Sequence, residues 1–291
     1  MIPITPMRRL VVILMLAPCL AGCVKLALRF SPSFIPHLTQ SLFEECDPDL
    51  AQESLPADLK LMEALLRDNP TNKQLLTALC MGFAGYAMLF VEEEDSQRAS
   101  QLYLRARDYG LRALDREMAR LRGPATGKEM VRARLMDIEE GKLEALFWTA
   151  LSWNGWINLN LDQPGAMAQL GAAQAFLERV LELNPGYLYG APYILMGAIL
   201  AGRPGMLGGD VGRSRDCFER AMALSERRFL LAHYYFARYY AVRIQDRELF
   251  LALIKEADTR PAYELKEACL INAVMKRKTR DLMKLSEDLF F

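Results

Sequence analysis

After residue 40, apolar residues recur every three to four positions in nearly every window and no stretch alternates with period two, a pattern that commits the body of the chain to helices. Leu75, Leu79, Phe83, Tyr86 and Phe90 fall on one helical stripe. Leu59, Met62, Leu65 and Leu66 form another, which stops at Asn69-Pro70. Three segments share a stricter register. Asp95, Ala99, Tyr103 and Ala106 stand 4, 4 and 3 residues apart; Gln169, Ala173, Leu177 and Val180 repeat that spacing, as do Asp210, Ser214, Phe218 and Ala221. Small, large and small side chains on one face let a second helix approach closely while the large one fills the groove between them. Asp95 and Asp210 stand where N-caps belong, each accepting a backbone N–H at a helix start for about 1 kcal/mol.

These offsets, with Pro185 five residues beyond Val180, resemble the second helix of a tetratricopeptide repeat. First-helix partners precede them: Leu76, Leu79, Cys80 and Phe83 lie before Ala99, and Trp148, Leu151, Ser152 and Gly155 match more loosely before Ala173. Leu66-Arg-Asp-Asn-Pro70 and Leu181-Glu-Leu-Asn-Pro185 resemble repeat ends. Ala173 and Ser214 are 41 residues apart, more than the usual repeat of roughly 34, and the excess falls in Gly202 to Gly209. The expected fold class is therefore all-α, an irregular tetratricopeptide-like helix-pair solenoid of about four repeats with extra C-terminal capping helices. The closing helices are expected over 229–243, 246–258 and 265–291, with Lys276-Arg277-Lys278 on their solvated outer face.

Ahead of the helices, Arg8-Arg9 lead into an apolar run from Leu10 to Leu20, too short to cross a hydrocarbon core of about 30 Å. It ends in Leu20-Ala21-Gly22-Cys23, a lipobox. Small Ala21 and Gly22 admit a signal peptidase, and the Cys23 thiol accepts diacylglycerol, whose chains hold the new N-terminus in a bilayer. The expected organisation is a signal peptide over 1–22, a lipidated tether and lead over 23–56 marked by Pro32, Pro36, Pro48 and Pro56, and a helical domain over 57–291. Val24 stands where Asp would retain a lipoprotein in the inner membrane, which favours the outer membrane. No later stretch reads as a membrane span. Cys46, Cys80, Cys217 and Cys269 remain without a CxxC pair; an extracytoplasmic address permits disulfides, but helical apolar surroundings favour buried free thiols.

Formal net charge is zero over the whole chain and about −2 once Arg8 and Arg9 are removed, so there is no electrostatic footprint for nucleic acid. His37 and His233 are far apart and no HExxH or Cys/His spacing exists, so no metal and no cofactor are expected. Gly202-Arg-Pro-Gly-Met-Leu-Gly-Gly-Asp210 lacks the closing Lys-Ser/Thr of a P-loop and reads as a turn with an Asp cap. Glu92-Glu93-Glu94-Asp95 point in four directions on a helix and read as a solvated acidic end. No acid–base pair held by a third group appears, and an enzyme is not expected. Aromatics are the more informative population: Trp148, Trp153 and Trp156, then Tyr187, Tyr189 and Tyr193, then Tyr234, Tyr235, Phe236, Tyr239 and Tyr240. Such side chains either fill a core or line a cleft for an apolar or amphipathic ligand.

Phe43-Glu-Glu-Cys-Asp-Pro48, Tyr103-Leu-Arg-Ala-Arg-Asp-Tyr-Gly-Leu-Arg-Ala-Leu114, Leu207-Gly-Gly-Asp210 leading to Phe218-Glu-Arg-Ala221, and Tyr239-Tyr-Ala-Val-Arg-Ile-Gln-Asp246 together resemble the T-component lipoproteins of tetratricopeptide-associated TRAP transporters. The resemblance covers nearly the whole chain after Cys23. It implies a periplasm-facing homotrimer that docks a TRAP solute-binding P-component and carries a small hydrophobic or amphipathic molecule through a cleft. Trp148, Trp153, Trp156, Tyr187, Tyr189 and Tyr193 then become the candidate cleft lining. The competing reading is a tetratricopeptide scaffold lipoprotein for outer-membrane or pilus assembly.

Overall fold

The computed structural model describes residues 34–115, 117–120 and 127–290; the signal segment, the lipobox and Cys23 lie outside them. All regular structure among the described residues is helical. Contacts divide the chain after Ser41. The described part of the first unit, residues 34–41, forms most of helix α1, Phe34–Phe43. The second unit carries α2 (Pro48–Asp68), α3 (Lys73–Tyr86), α4 (Ser96–Leu114), α5 (Lys128–Leu135), α6 (Leu143–Asn158), α7 (Leu170–Leu183), α8 (Tyr187–Gly202), α9 (Val211–Leu224), α10 (Leu230–Tyr235), α11 (Arg247–Thr259) and α12 (Cys269–Lys284), with shorter turns between them.

Local chemistry sets the boundaries. Asp95 and Asp210 cap α4 and α9, accepting from the backbone N–H of Arg98 at 2.9 Å and of Arg213 at 3.0 Å. Asp47, Asn72 and Asp246 do the same for α2, α3 and α11. The expected lead segment does not stop at Pro56: α2 runs through it, since the one backbone bond that Pro56 cannot donate is outweighed by the burial of Ala51, Leu55, Leu59, Met62 and Leu66. A boundary between 56 and 57 therefore falls inside a helix.

The nine residues of the shared register, Ala99, Tyr103, Ala106, Ala173, Leu177, Val180, Ser214, Phe218 and Ala221, are all buried. α3 packs on α4, α4 on α6, α6 on α7, and α8 on α9. Two large residues of the register face a glycine on a partner helix: a β-carbon at Gly155 would lie 2.9 Å from the Tyr103 ring, and one at Gly197 would lie 2.9 Å from the Phe218 ring. Those glycines are what allow α6 to approach α4 and α8 to approach α9.

Three departures from regular α geometry shape the interior. α3 continues into a π-helical turn over Ala87–Val91, and α10 into another over Phe236–Ala241. Leu188 (φ 44°), Tyr189 (φ 58°) and Gly190 (φ 84°) are left-handed, so the regular part of α8 starts at Ala191 and Pro192 sits in its first turn, where its missing N–H costs nothing.

The segment Lys73–Val91 is long and apolar enough to cross a membrane, contrary to the expectation that no stretch after Cys23 reads as a span, yet 83% of its most apolar window is buried inside the fold, as a core helix would be. Cys46 and Cys269 form a disulfide, with Cα atoms 5.1 Å apart. This corrects the expected free thiols for that pair; Cys80 (buried) and Cys217 (half-buried) are free. The bond ties the segment before α2 to the start of α12, which packs on α10 and α11 and also returns to α2. The last helix thus meets the first of this unit, where Arg277 pairs with Asp49 at 2.6 Å. Nor is the 276–278 run a solvated face. Lys278 is half-buried, donating to the Met88 carbonyl at 3.1 Å and lying 3.4 Å from Glu93, and Lys276 donates to the Asp258 carbonyl at 2.6 Å. Consecutive helical residues point about 100° apart, so a basic run cannot share one environment.

Candidate functional site

α3, α4, α6, α8 and α10 converge on a half-open, mainly apolar cleft of about 60 Å³. Its walls come from Phe147, Leu151, Asn154, Gly155 and Asn158 of α6 and from Ala191, Ile194, Leu195, Ala198 and Ile199 of α8. Leu231 and Tyr235 of α10, Met88 and Tyr239 of the two π turns, Tyr103 of α4, and Glu92 complete it. π turns are rare and concentrate at functional sites. Here both described ones supply cleft residues.

One end of the cleft is polar. The Tyr103 hydroxyl donates a short hydrogen bond to Glu92 Oε2. The hydroxyl-bearing rings of Tyr235 and Tyr239, stacked at a tilt with centroids 5.2 Å apart, lie beside it. Burial, opposed by that hydrogen bond, holds the half-buried Glu92 carboxyl above its usual range. Burial and the Glu92 charge raise Tyr103 and Tyr235 well above an ordinary phenol, and burial pushes Tyr239 up to about 12. Behind them sits a second cluster. Tyr234 donates to Glu93, Arg238 lies 3.5 Å from Glu93 and donates to the Tyr234 oxygen at 3.1 Å, and Lys278 reaches Glu93 from the other side. Burial lowers Lys278. The expectation of a solvated acidic end therefore fails for Glu92, which follows the π turn and is half-buried in the cleft, while Glu93, Glu94 and Asp95 are exposed as expected and Glu93 also pairs with Arg238 and Lys278.

None of the six aromatics proposed from the sequence lines this cleft. Trp153 is fully buried; its indole N–H donates to Gln169 at 3.0 Å and its ring meets Phe176 edge-on. Trp153 and Trp156 hold the buried guanidinium of Arg107 at 5.4 and 5.5 Å from their rings, a cation–π clamp joining α4 to α6. Trp148 packs edge-on against Phe147 and Phe43, and Tyr187 against the other side of Phe147. Tyr189 rests on Phe229, and Tyr193 carries the guanidinium of Arg220. These are core and strut positions. Tyr235 and Tyr239, which do line the cleft, belong to the third aromatic group in the sequence; they are four apart on one helical face, opposite the large position of the first register.

Arg203 of the glycine-rich loop turns inward, buried, and donates to Asn154 Oδ1 at 3.1 Å; burial lowers its pKa to about 10. Among the described residues no group of three or more His, Cys, Asp or Glu is placed to hold a metal ion.

Comparison with known proteins gives two findings. The family model described as TRAP transporter T-component matches residues 44–290. An uncharacterized protein of Treponema pallidum (strain Nichols) is 28% identical over 202 residues, 62% of this chain and 61% of the relative, so the match spans less than two thirds of that protein.

Proposed function

Since the chain belongs to the family of TRAP transporter T-components, we propose that it is a lipid-anchored, periplasm-facing subunit of such a system, docking a solute-binding P-component and holding a small hydrophobic or amphipathic ligand in its cleft. The family makes it an accessory subunit of membrane transport. The observation that carries the ligand is the apolar cleft between α6, α8 and α10 with one polar end, the layout of a small-molecule site. Its volume of about 60 Å³ is below the ~150 Å³ in which an apolar cavity takes up benzene, so full enclosure of a ligand requires the walls to part. The left-handed turn at the head of α8 and the two π turns are where regular helix hydrogen bonding is already interrupted.

The envelope address rests on Leu20-Ala21-Gly22-Cys23 and is supported by the Cys46–Cys269 bond, which persists in oxidising compartments. Val24 favours the outer membrane, and a homotrimer follows from the family resemblance.

Co-purification tests the reading. Solubilised protein is expected to bring down a solute-binding protein and to release an apolar small molecule on denaturation. Recovery of envelope-assembly proteins alone would overturn it in favour of a scaffold. Cys23→Ala is expected to leave the precursor unprocessed and unanchored; unchanged processing would remove the lipid anchor from the account.

A further inference from the structure

We propose that the cleft selects an ammonium head group on an apolar body, with Glu92 as counter-ion and the Tyr103, Tyr235 and Tyr239 rings around the charge. This deepens the reading of the cleft as a ligand site and rests on it. Charge is distributed unevenly at the polar end. Glu92 and Glu93 are neighbours, but their partners are not shared equally. Glu93 takes both nearby cations, Arg238 at 3.5 Å and Lys278 at 3.4 Å, together with the Tyr234 hydroxyl. Among the described residues Glu92 has no Lys or Arg within ion-pair distance, and it accepts the Tyr103 hydroxyl.

Among the described residues lining the cleft, Glu92 is also the only charged side chain, and the other walls are mostly aliphatic and aromatic. Lys278 and Arg238, engaged by Glu93, act on Glu92 only from beyond ion-pair distance, and burial outweighs both them and the Tyr103 hydrogen bond in raising its proton affinity. A ligand ammonium supplies what the proton would. The tyrosine rings attract it too, since a cation within about 6 Å of an aromatic face gains electrostatic energy and aromatic cages are a recurring solution for ammonium ligands. A ligand carboxylate would instead put two acidic groups in one desolvated site, tolerable only if they share a proton. Arg203 offers a carboxylate little, since it approaches the cleft through Asn154, whose Oδ1 it already occupies.

The test uses full-length protein in lipid nanodiscs and three soluble probes of equal length, hexylammonium, 1-hexanol and hexanoate, titrated calorimetrically at pH 7.5 with empty nanodiscs subtracted. Hexylammonium is expected to bind at least ten-fold more tightly than hexanoate, with hexanol between. Glu92→Gln is expected to bring hexylammonium to the level of hexanol while leaving hexanol within two-fold, which also shows that the variant is folded. Tyr239→Phe, which keeps the ring, is expected to preserve most of the preference. Hexanoate binding as tightly as hexylammonium, or a preference that survives Glu92→Gln, overturns the head-group inference and leaves the cleft's ligand role intact. Failure of all three probes to bind overturns both.

Discussion

Glycine positions show most directly how one atom sets the distance between helices. A methyl group at Gly155 would press within 2.9 to 3.1 Å of the Tyr103 ring, whereas nothing lies within 4 Å of the β-position of Gly85. Gly155→Ala is therefore expected to cost about 1–3 kcal/mol, the usual range for overpacking. Gly85→Ala, inside α3, is expected to stabilise by up to about 1 kcal/mol through helix propensity. Urea midpoints of the two variants should move in opposite directions. His233 gives a pH signature. It is fully buried, with Nε2 3.4 Å from Glu256, and burial outweighs that carboxylate in pulling its pKa below the ordinary value of 6.5. A base whose folded pKa is depressed adds stability in full above the unfolded value, and that stability is lost as pH falls below it. Glu256, held near about 2 chiefly by Arg227, adds a second loss between about pH 4.5 and 2. Denaturation midpoints should thus already drop between pH 7.5 and 5.5, and His233→Phe should flatten that step but not the one below pH 4.5. At this scale the register in the sequence reached Tyr103 as a packing residue. It could not show that the same hydroxyl ends at Glu92, because that depends on a π turn which no local residue pattern announces.

Helix starts were the most legible elements, since a cap is written in one residue: Asp95 and Asp210 each bind the N–H three positions on. Interruptions inside helices were the least legible. Pro56 closes the expected lead segment, yet burial along α2 carries the helix through it. The acidic run 92–95 and the basic run 276–278 read as solvated faces, whereas Glu92 turns into the cleft and Lys278 lies half-buried against the exposed Glu93; charge runs carry no information about which member turns inward. Of the three aromatic clusters, only the last, with Tyr235 and Tyr239, reaches the cleft. Density of tryptophan marked the clamp on Arg107, while the cleft drew on tyrosines from α4 and α10 that lie more than a hundred residues apart in sequence. The head of α8 makes a further prediction. Gly190 has φ 84° and its β-position lies 3.2 Å from the Ala221 backbone, so Gly190→Ala meets both a left-handed penalty of roughly 1–2 kcal/mol and a clash. A fall in thermal stability larger than that of Gly155→Ala is expected, and a neutral result would mean that the left-handed turn is not held in solution.

At the scale of the whole molecule, helix content and family were readable because periodicity and scattered motifs are spread along the chain, but the closure of its ends was not. Two of four spare cysteines lie 223 residues apart, and spacing at that range does not choose among partners. The structure joins them where α12 returns to α2, next to the Arg277–Asp49 pair. Closing so long a loop restricts the unfolded chain strongly, and loss of a native disulfide typically costs about 2–5 kcal/mol. The Cys46→Ser, Cys269→Ser double variant is expected to lose stability in that range, and reduced wild-type protein should unfold at the same urea concentration as the variant, since Cys80 and Cys217 are free in both. The surface pair Arg277–Asp49 cannot compensate, because exposed ion pairs contribute at most about 1 kcal/mol. Equal midpoints for oxidised wild type and the double variant would mean that the contact of α12 with α2 is already saturated by its own burial, and the disulfide would then mark the compartment without stabilising the fold. A deficit in the variant, erased when wild type is reduced, would identify the bond as what keeps the first and last helices of the unit together.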